Sequence, residues 1–474
     1  MCVAAKNALG IYISIPFCRS KCTYCNFASG VFPASQHRRY VERVIEELSG
    51  AKDWTERLGV ELPRRVDTVY LGGGTPSLLE PKLVAALFAA MRAEFDLDAD
   101  AEITMECAPG QIADATLAAM AAAGVNRVSL GVQSFVDREA QVSGRLHTRA
   151  MVEEDLRRLR RAGITNLNLD LIAGLAGQTP ASWEQSLDVL LAAGAPHASV
   201  YMLEVDEDSR LGREMLAGGA RYYAELVPSD DAIAEMYGRA IERLDEAGLR
   251  QYEISNFSAA GFESRHNLRY WERRPYLGVG LDASSMLRGA LHGAGNQSAG
   301  EMRTSGAKAP VHPASATARL KSCPDTSCWP DTASSPDTSC LTGKSPLKSE
   351  WSEPVCVLRA KTTDDLTEYL DGPRIAETAW LAPVQQFEEA WFLGLRLNAG
   401  VDVRALKDEF GVEAVAAALE TVGRLVGDGL LSSDGSIVRL TARGRMVSND
   451  VFQEFLGLGA SQVSKFASAG ADGR

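Results

Sequence analysis

The stretch ISIPFCRSKCTYCNFASG places Cys18, Cys22 and Cys25 within eight positions of a chain that holds nine cysteines in all. Three thiols on one short loop can converge on a single metal or cluster as thiolates. A tetrahedral zinc site asks for a fourth ligand. A ferredoxin-type cluster asks for a fourth cysteine, usually farther along and followed by proline. Neither is supplied nearby: position 27 is Phe, and His37 and Cys107 are the nearest outside candidates. Three thiolates on a 4Fe-4S cluster leave one iron open, and an open iron can chelate a small molecule.

The elements that must hold this loop read as a repeat. IYISIPF, TVYLGG, ITMEC, RVSLGVQ, NLNLDLIAG and HASVYMLEV are β-rich runs between residues 11 and 205, each followed by a helix-like stretch. SQHRRYVERVIEELSG, EPKLVAALFAAMRAEF and ADATLAAMAAAG carry apolar residues at helical spacing, and Gly50 and Gly124 are read as the ends of the first and third. Six βα units predict a parallel sheet with right-handed crossovers, either doubly wound or a barrel, complete or partial. In such sheets chemistry sits at the carboxyl ends of the strands. There the sequence puts Cys18, the glycines Gly72 to Gly74, Glu106, Gln133, Asp170 and Glu204. Any one of Glu106, Gln133 and Asp170 could simply cap the next helix. Their recurrence at successive strand ends favours a common rim.

Composition narrows the class. With 46% apolar and 23% charged residues in 474, the chain is globular material with room for two or more domains. A net charge of −13 argues against a chain built mainly to grip nucleic acid or anionic lipid. The N-terminal MCVAAKNALGIYISIPF has one lysine and no small-residue cleavage site, and no apolar run approaches a membrane span, so a soluble, cytoplasmic protein is expected. The odd, uneven set of cysteines does not read as a disulfide framework.

Residues 288–356 are rich in Ser, Thr, Pro, Gly and Ala and read as a disordered insertion. Pro-Asp-Thr recurs there at Pro324, Pro330 and Pro336, and Cys323, Cys328 and Cys340 are either inert thiols or metal ligands, the former being favoured. Beyond it, PVQQFEEAWFLGLRL, DVRALKDEFG and VAAALETVGRLVGDGLL read as helices, and SSDGSIVRLTARGR as a hairpin turning at Asp434 and Gly435. Three helices and a hairpin make a winged-helix-like module. Such modules often bind DNA, but the acidic pairs Glu388-Glu389 and Asp408-Glu409 disfavour nucleic acid in preference to a lid or partner-binding role.

CRSKCTYC, with the aromatic Tyr24 before its last cysteine, resembles the CxxxCxxC signature of the radical S-adenosylmethionine superfamily. That resemblance implies a 4Fe-4S cluster on Cys18, Cys22 and Cys25, whose electron splits the sulfonium of S-adenosylmethionine to methionine and a 5′-deoxyadenosyl radical, the protein supplying binding and orientation. It implies an α/β fold: a partial (β/α)6, TIM-like radical SAM barrel with a C-terminal, mostly helical, winged-helix-like domain. It also implies cofactor contacts at Tyr12, Gly72, Gly73, Gly74, Thr75, Glu106, Gln133, Arg145 and Asp170. Carboxylates suit hydroxyl and ammonium groups, and Arg145 suits the methionine carboxylate, although without the resemblance it reads equally well as a surface charge.

IPFC, LGGGTPS, RVSLGVQSF, LDLIAGLAGQT, QYEISNFS and RHNLRYW together resemble the oxygen-independent coproporphyrinogen oxidase family. The oxidases themselves resemble CxxxCxxCxC, with a cysteine where this chain has Phe27. HNLRYW, residues 266–271, is similar to the HNxxYW signature of the HemW-type haem chaperone branch. The resemblance implies His266 as a haem-iron ligand, with Tyr270 and Trp271 offering flat faces to a porphyrin. It further implies haem or porphyrin, haem-accepting apoproteins and an electron donor as partners, with coproporphyrinogen III oxidation as the alternative activity. Near YLGVGLDASSML, relatives commonly read Ala-His-Ser, and Ser284 stands in place of that histidine. The expected organisation is a tail at 1–10, barrel and extension at 11–287, the insertion at 288–356, a HemN-like C-terminal domain at 357–457 and a tail at 458–474.

Overall fold

The structure is a computed structural model and describes residues 8–289, 356–372 and 375–458. Six strands lie side by side in chain order: β1 (Leu9–Ile15), β2 (Arg65–Gly73), β3 (Asp96–Cys107), β4 (Arg127–Gln133), β5 (Asn166–Ala173) and β6 (His197–Met202). All five neighbouring pairs are parallel. Their central residues are buried almost without alternation, as in parallel strands covered on both faces. The strand order never reverses, so there is no switch point and the doubly wound alternative falls away. Right-handed crossovers between strands in this order put every helix on one side and curl the sheet into a partial (β/α)6 barrel.

The sheet does not stop at six strands. Beyond β6 lie β7 (Arg250–Gln251) and β8 (Asn256–Ser258), and beyond β1 lie β9 (Tyr276–Val279), β10 (Ser284–Gly289), β11 (Cys356–Lys361) and β12 (Glu377–Leu381), making twelve strands. β9 is parallel to β1, while β10, β11 and β12 continue as an antiparallel meander. The insertion expected at 288–356 therefore has its edges inside the sheet, since Gly289 pairs with Cys356. Residues 290–355, with the Pro-Asp-Thr repeats and their cysteines, lie outside the described residues.

The first helix corrects a boundary. Gly50 does not end it: the helix runs Ala34–Arg57, and Ala51, Trp54 and Thr55 continue its buried stripe. That burial outweighs the ~1 kcal/mol that glycine costs within a helix. Gly124, by contrast, ends Asp114–Ala123 in the left-handed conformation as expected.

After β12 come the helices Pro383–Arg396, Val403–Phe410 and Val412–Gly427, and a small sheet joins β13 (Val401–Asp402), between the first and second of them, to β14 (Leu431–Ser433) and β15 (Ile437–Leu440), after the third. The hairpin turns where expected: Gly435 has φ +88° and Asp434 accepts from the Ser436 and Ile437 amides at 2.9 and 2.8 Å. β13 adds a third strand the sequence pattern did not indicate. One member of each acidic pair ties this module to the rest of the fold: Glu389 accepts from Arg359 of β11 at 2.9 Å, and Glu409 accepts from Arg273 at 2.7 and 3.0 Å.

Candidate functional site

The cysteine loop leaves the end of β1 and closes on itself. Cys18 N–H donates to the Gly30 carbonyl at 2.8 Å, and Gly30 N–H to that of Pro16 at 2.9 Å. The Lys21 ammonium spans the loop, donating to the carbonyls of Phe27 and Ser29, each at 2.9 Å. Phe27, in place of a fourth sulfur, thus lends its backbone to a clamp. Outside contacts fix the loop over the strand ends: Thr23 N–H reaches Ser143 O at 3.0 Å and Asn26 Nδ2 reaches Asp206 at 2.7 Å.

Beneath the loop opens a cleft of about 670 Å³. Its wall includes Cys18, Cys22 and Cys25, and also Tyr12, Gly73, Gly74, Thr75, Glu106, Gln133, Arg145 and Asp170. Expected site residues from the first five strands and the loops beyond them therefore meet in one place. Among the described residues no three His, Cys, Asp or Glu side chains close on a single point as ligands of one metal ion do. A cuboidal cluster gives each thiolate its own iron, so the trio suits a cluster better than a lone zinc. Burial raises the Cys18 thiol, and burial together with Cys22 pushes Cys25 up to about 11. Cys107 also faces the cleft but is fully buried, pushed up to about 12 by that burial, and bonds back to Met105 O.

Each strand end has its own local logic. The three glycines of LGGGTPS are required by neighbouring protein atoms: a Cβ on Gly72 would lie 2.9 Å from the Glu106 carboxylate, and one on Gly74 would lie 2.8 Å from Ile15 O. Gly72 consequently sits behind the cleft wall, making room for Glu106, which accepts from Tyr70 OH at 2.8 Å. Gly73, at φ +96°, passes close to Ser14. Asp170 is held by Ser129 at 3.1 Å and Asn168 at 2.7 Å, and Asn168 in turn is held by Ser199 at 2.9 Å. Burial raises the Asp170 carboxyl above its ordinary range against these bonds. Ser129, Asn168 and Ser199 escaped the sequence reading, although their alternation along β4, β5 and β6 onto one face was a usable signal.

Arg145 corrects the reading of it as a surface charge. Its guanidinium bonds Cys22 Sγ at 3.4 Å and the Gly131 carbonyl, and a Cβ on Gly131 would stand 2.6 Å from Nη2. Gly131, unnoticed in the sequence, is what lets this cation reach the sulfurs. Gln133 carries the clearest mark of a ligand-facing residue. A register shift between Gly131 and Gln133 bulges β4, Gln133 stands at φ +68°, and its buried Oε1 has no hydrogen-bond partner. Non-glycine residues in that conformation and orphaned buried acceptors both concentrate at functional sites. The donor set fits a cluster with a polar, amino-acid-bearing ligand beside it: sulfurs at one end, a fixed cation next to them, and carboxylate and amide acceptors along the strand ends.

His266 is placed differently from expectation. It lies wholly buried in the helix Arg265–Trp271, outside the cleft wall, with Nδ1 3.0 Å from Thr68 Oγ1 and Nε2 2.9 Å from Tyr270 OH. Burial pushes its pKa far below the ordinary range, so it is neutral. A haem-iron ligand needs a ring nitrogen facing open space. Here both are engaged, and the ring is a structural strut between β2 and its own helix. Tyr270 packs edge-on against Tyr276 at 4.6 Å and Trp271 lies under Arg396 at 4.2 Å, so both aromatic faces are turned inward. Ser284 opens β10 and does not line the cleft.

Comparison with known proteins agrees with this geometry. The radical SAM superfamily pattern matches residues 12–190, and the HemN C-terminal domain pattern matches 381–447. The chain is 30% identical to heme chaperone HemW of Lactococcus lactis over 94% of this chain and 96% of that protein. It is 29% identical to heme chaperone HemW of Bacillus subtilis over 94% of this chain and 98% of the relative. The fold is that of coproporphyrinogen III oxidase HemN from Escherichia coli, with a TM-score of 0.70 at 20% identity, covering 95% of this chain and 90% of that one. The superfamily implies a 4Fe-4S cluster and S-adenosylmethionine, which the cleft fits. The chain belongs to the HemW family of the radical S-adenosylmethionine superfamily.

Proposed function

We propose that this protein binds haem and delivers it to target apoproteins, while holding a 4Fe-4S cluster through Cys18, Cys22 and Cys25 and S-adenosylmethionine in the adjoining cleft. The observation that carries this reading is the similarity to heme chaperone HemW along nearly the whole of both chains. Phe27, where the oxidase branch has a further cysteine, supports the same side.

Within the cleft, Arg145 would hold a carboxylate beside the sulfurs, and Gly74 and Thr75 adjoin the root of the cysteine loop, their N–H groups donating to Ile15 O at 2.9 Å and Phe17 O at 2.8 Å. Glu106 and Asp170 accept from hydroxyl or ammonium groups, and Gln133 Oε1 takes the donor it lacks. The bound pair supplies one-electron cleavage of a sulfonium. An electron donor and a haem-accepting protein are the partners this requires.

Anaerobically reconstituted protein, given reductant and haem, is expected to carry haem with an unaltered macrocycle and to pass it to an apo-cytochrome. The reading is overturned by conversion of coproporphyrinogen III to protoporphyrinogen IX in the same assay, which would assign the oxidase activity instead. Absence of haem binding would also overturn it.

A further inference from the structure

The polar column inside the barrel does not end at Asp170. Period-two alternation along β5 sets Asn168 on the face that carries Asp170, and Asn168 pairs across to His197, the first residue of β6. Asn168 is 3% exposed and His197 is 0%. From His197 the bonds run on to Tyr252, between β7 and β8, and from there to Ser264, the N-cap of the helix Arg265–Trp271 that carries HNLRYW. Of these residues only Asp170 lines the cleft.

The carboxylate fixes the direction of every bond. An ionised carboxylate only accepts, so the Asn168 atom 2.7 Å from Asp170 is Nδ2, whose hydrogens also face Ser129 at 2.8 Å and Ser199 at 2.9 Å. Asn168 Oδ1 is thereby turned to His197 Nδ1 at 2.6 Å, and that nitrogen must carry the proton. Burial lowers the His197 pKa well below the ordinary range, so the imidazole is neutral and Nε2 is left as an acceptor. Tyr252 OH donates to it at 2.9 Å and accepts from the Ser264 N–H at 3.1 Å. The Tyr252 carbonyl accepts from Asn398 N–H at 2.9 Å, just past the helix Pro383–Arg396 of the C-terminal module. A one-way chain of donors thus runs from the HNLRYW helix to the carboxylate in the cleft. An asparagine amide can turn over in place, and the other orientation would point an oxygen at Asp170. The His197 Nδ1–H is the donor that holds against it.

Resting on the reading of the cleft as the S-adenosylmethionine site, we propose that His197 is a positioning residue for that cofactor: it locks the Asn168 amide so that Asp170 is held as an aimed acceptor for a hydroxyl or ammonium group, and Tyr252 locks His197 in turn. In this assignment the HNLRYW helix acts on the cofactor cleft through Ser264 and Tyr252, a role that needs no contact between His266 and iron.

The test is anaerobic calorimetric titration of the intact, cluster-loaded protein with S-adenosylmethionine, with cluster absorbance as the folding control. Asp170→Asn is expected to weaken binding roughly tenfold or more, and His197→Phe to weaken it about fivefold. His197→Asn, whose amide N–H can stand where Nδ1–H stands, should restore most of that loss. Placed on Asp170→Asn, His197→Phe should weaken binding no further, because residues that act through one another are not additive. Tyr252→Phe removes only the hydroxyl and carries the test if His197→Phe fails to fold: a loss of about threefold is expected, again absent beside Asp170→Asn. Full affinity in the His197→Phe and Tyr252→Phe variants, or losses that multiply with that of Asp170→Asn, would overturn the relay while leaving the cleft assignment standing. Full affinity in Asp170→Asn, or no binding by wild type, would overturn the cleft assignment and the relay together.

Discussion

The two ends of β2 treat polar groups in opposite ways. Near its start, Asp67 and Thr68 are saturated: Arg269 donates to both, Arg274 reaches Asp67 at 2.6 Å, and Arg269 also donates to Ala8 O and Pro275 O at 2.7 and 2.8 Å. His266 completes this cluster on Thr68. At the other end, beside Gly73, polar groups face an open cleft, and Gln133 holds a buried oxygen with nothing to accept from. Both ends are rich in charge, but only one has bonding capacity to spare. Barrels of this kind place stability at the amino ends of strands and chemistry at the carboxyl ends. The contrast teaches that a buried histidine or arginine should be judged by the bonds it has left.

The contrast can be broken in several ways. Replacing Cys22 with Ser should give the largest effect: iron and sulfide retained after anaerobic reconstitution fall close to zero, while the melting temperature of the cluster-free protein barely moves. A retained cluster would separate the cleft from its assigned role. Next comes Arg269→Met, which leaves Asp67 to Arg274 alone and takes the donor from the buried Ala8 and Pro275 carbonyls, and should cost about 3–5 kcal/mol in denaturant unfolding. His266→Phe leaves the Thr68 and Tyr270 hydroxyls short of partners and should cost ~1–3 kcal/mol, with the Soret position of bound haem unchanged. A shifted Soret band would return His266 to the haem.

Asp170→Asn sharpens the comparison most delicately. A carboxyl whose folded pKa is raised weakens the fold once pH exceeds its unfolded value, roughly 4, and that penalty disappears only as pH falls below it. At neutral pH the amide should therefore leave the melting temperature of the unliganded protein no lower. Binding of S-adenosylmethionine should fall roughly tenfold or more. A large loss of stability would mean that Asp170 belongs with the saturated groups.

Much of the cleft was legible because its signals are local. Three cysteines on one loop and polar residues at successive strand ends need only a strand period and a crossover rule to be brought together. Residues that act across the fold left no such trace. Gly10 looks unremarkable, yet a Cβ there would collide with the Arg269 side chain. Gly131 matters only because Arg145 approaches it from fourteen residues away. His266 was drawn toward iron by its motif, because nothing in the sequence shows that Thr68 and Tyr270 already occupy both ring nitrogens. Of the extra strands, β11 follows the long low-complexity stretch and pairs back across it with β10, and β12 then pairs with β11, so no local pattern joined them to the sheet.

That pairing has a practical corollary. Gly289 and Cys356, the described residues on either side of the low-complexity stretch, face each other on one rung of the β10–β11 pair. Because the entropy of closing a loop grows only as the logarithm of its length, each doubling of a flexible connection between two ends that pair in this way costs only about 0.6 kcal/mol. The register of β10 on β11 is accordingly set by the strands' own pairing, from Ser284 on Lys361 to Gly289 on Cys356.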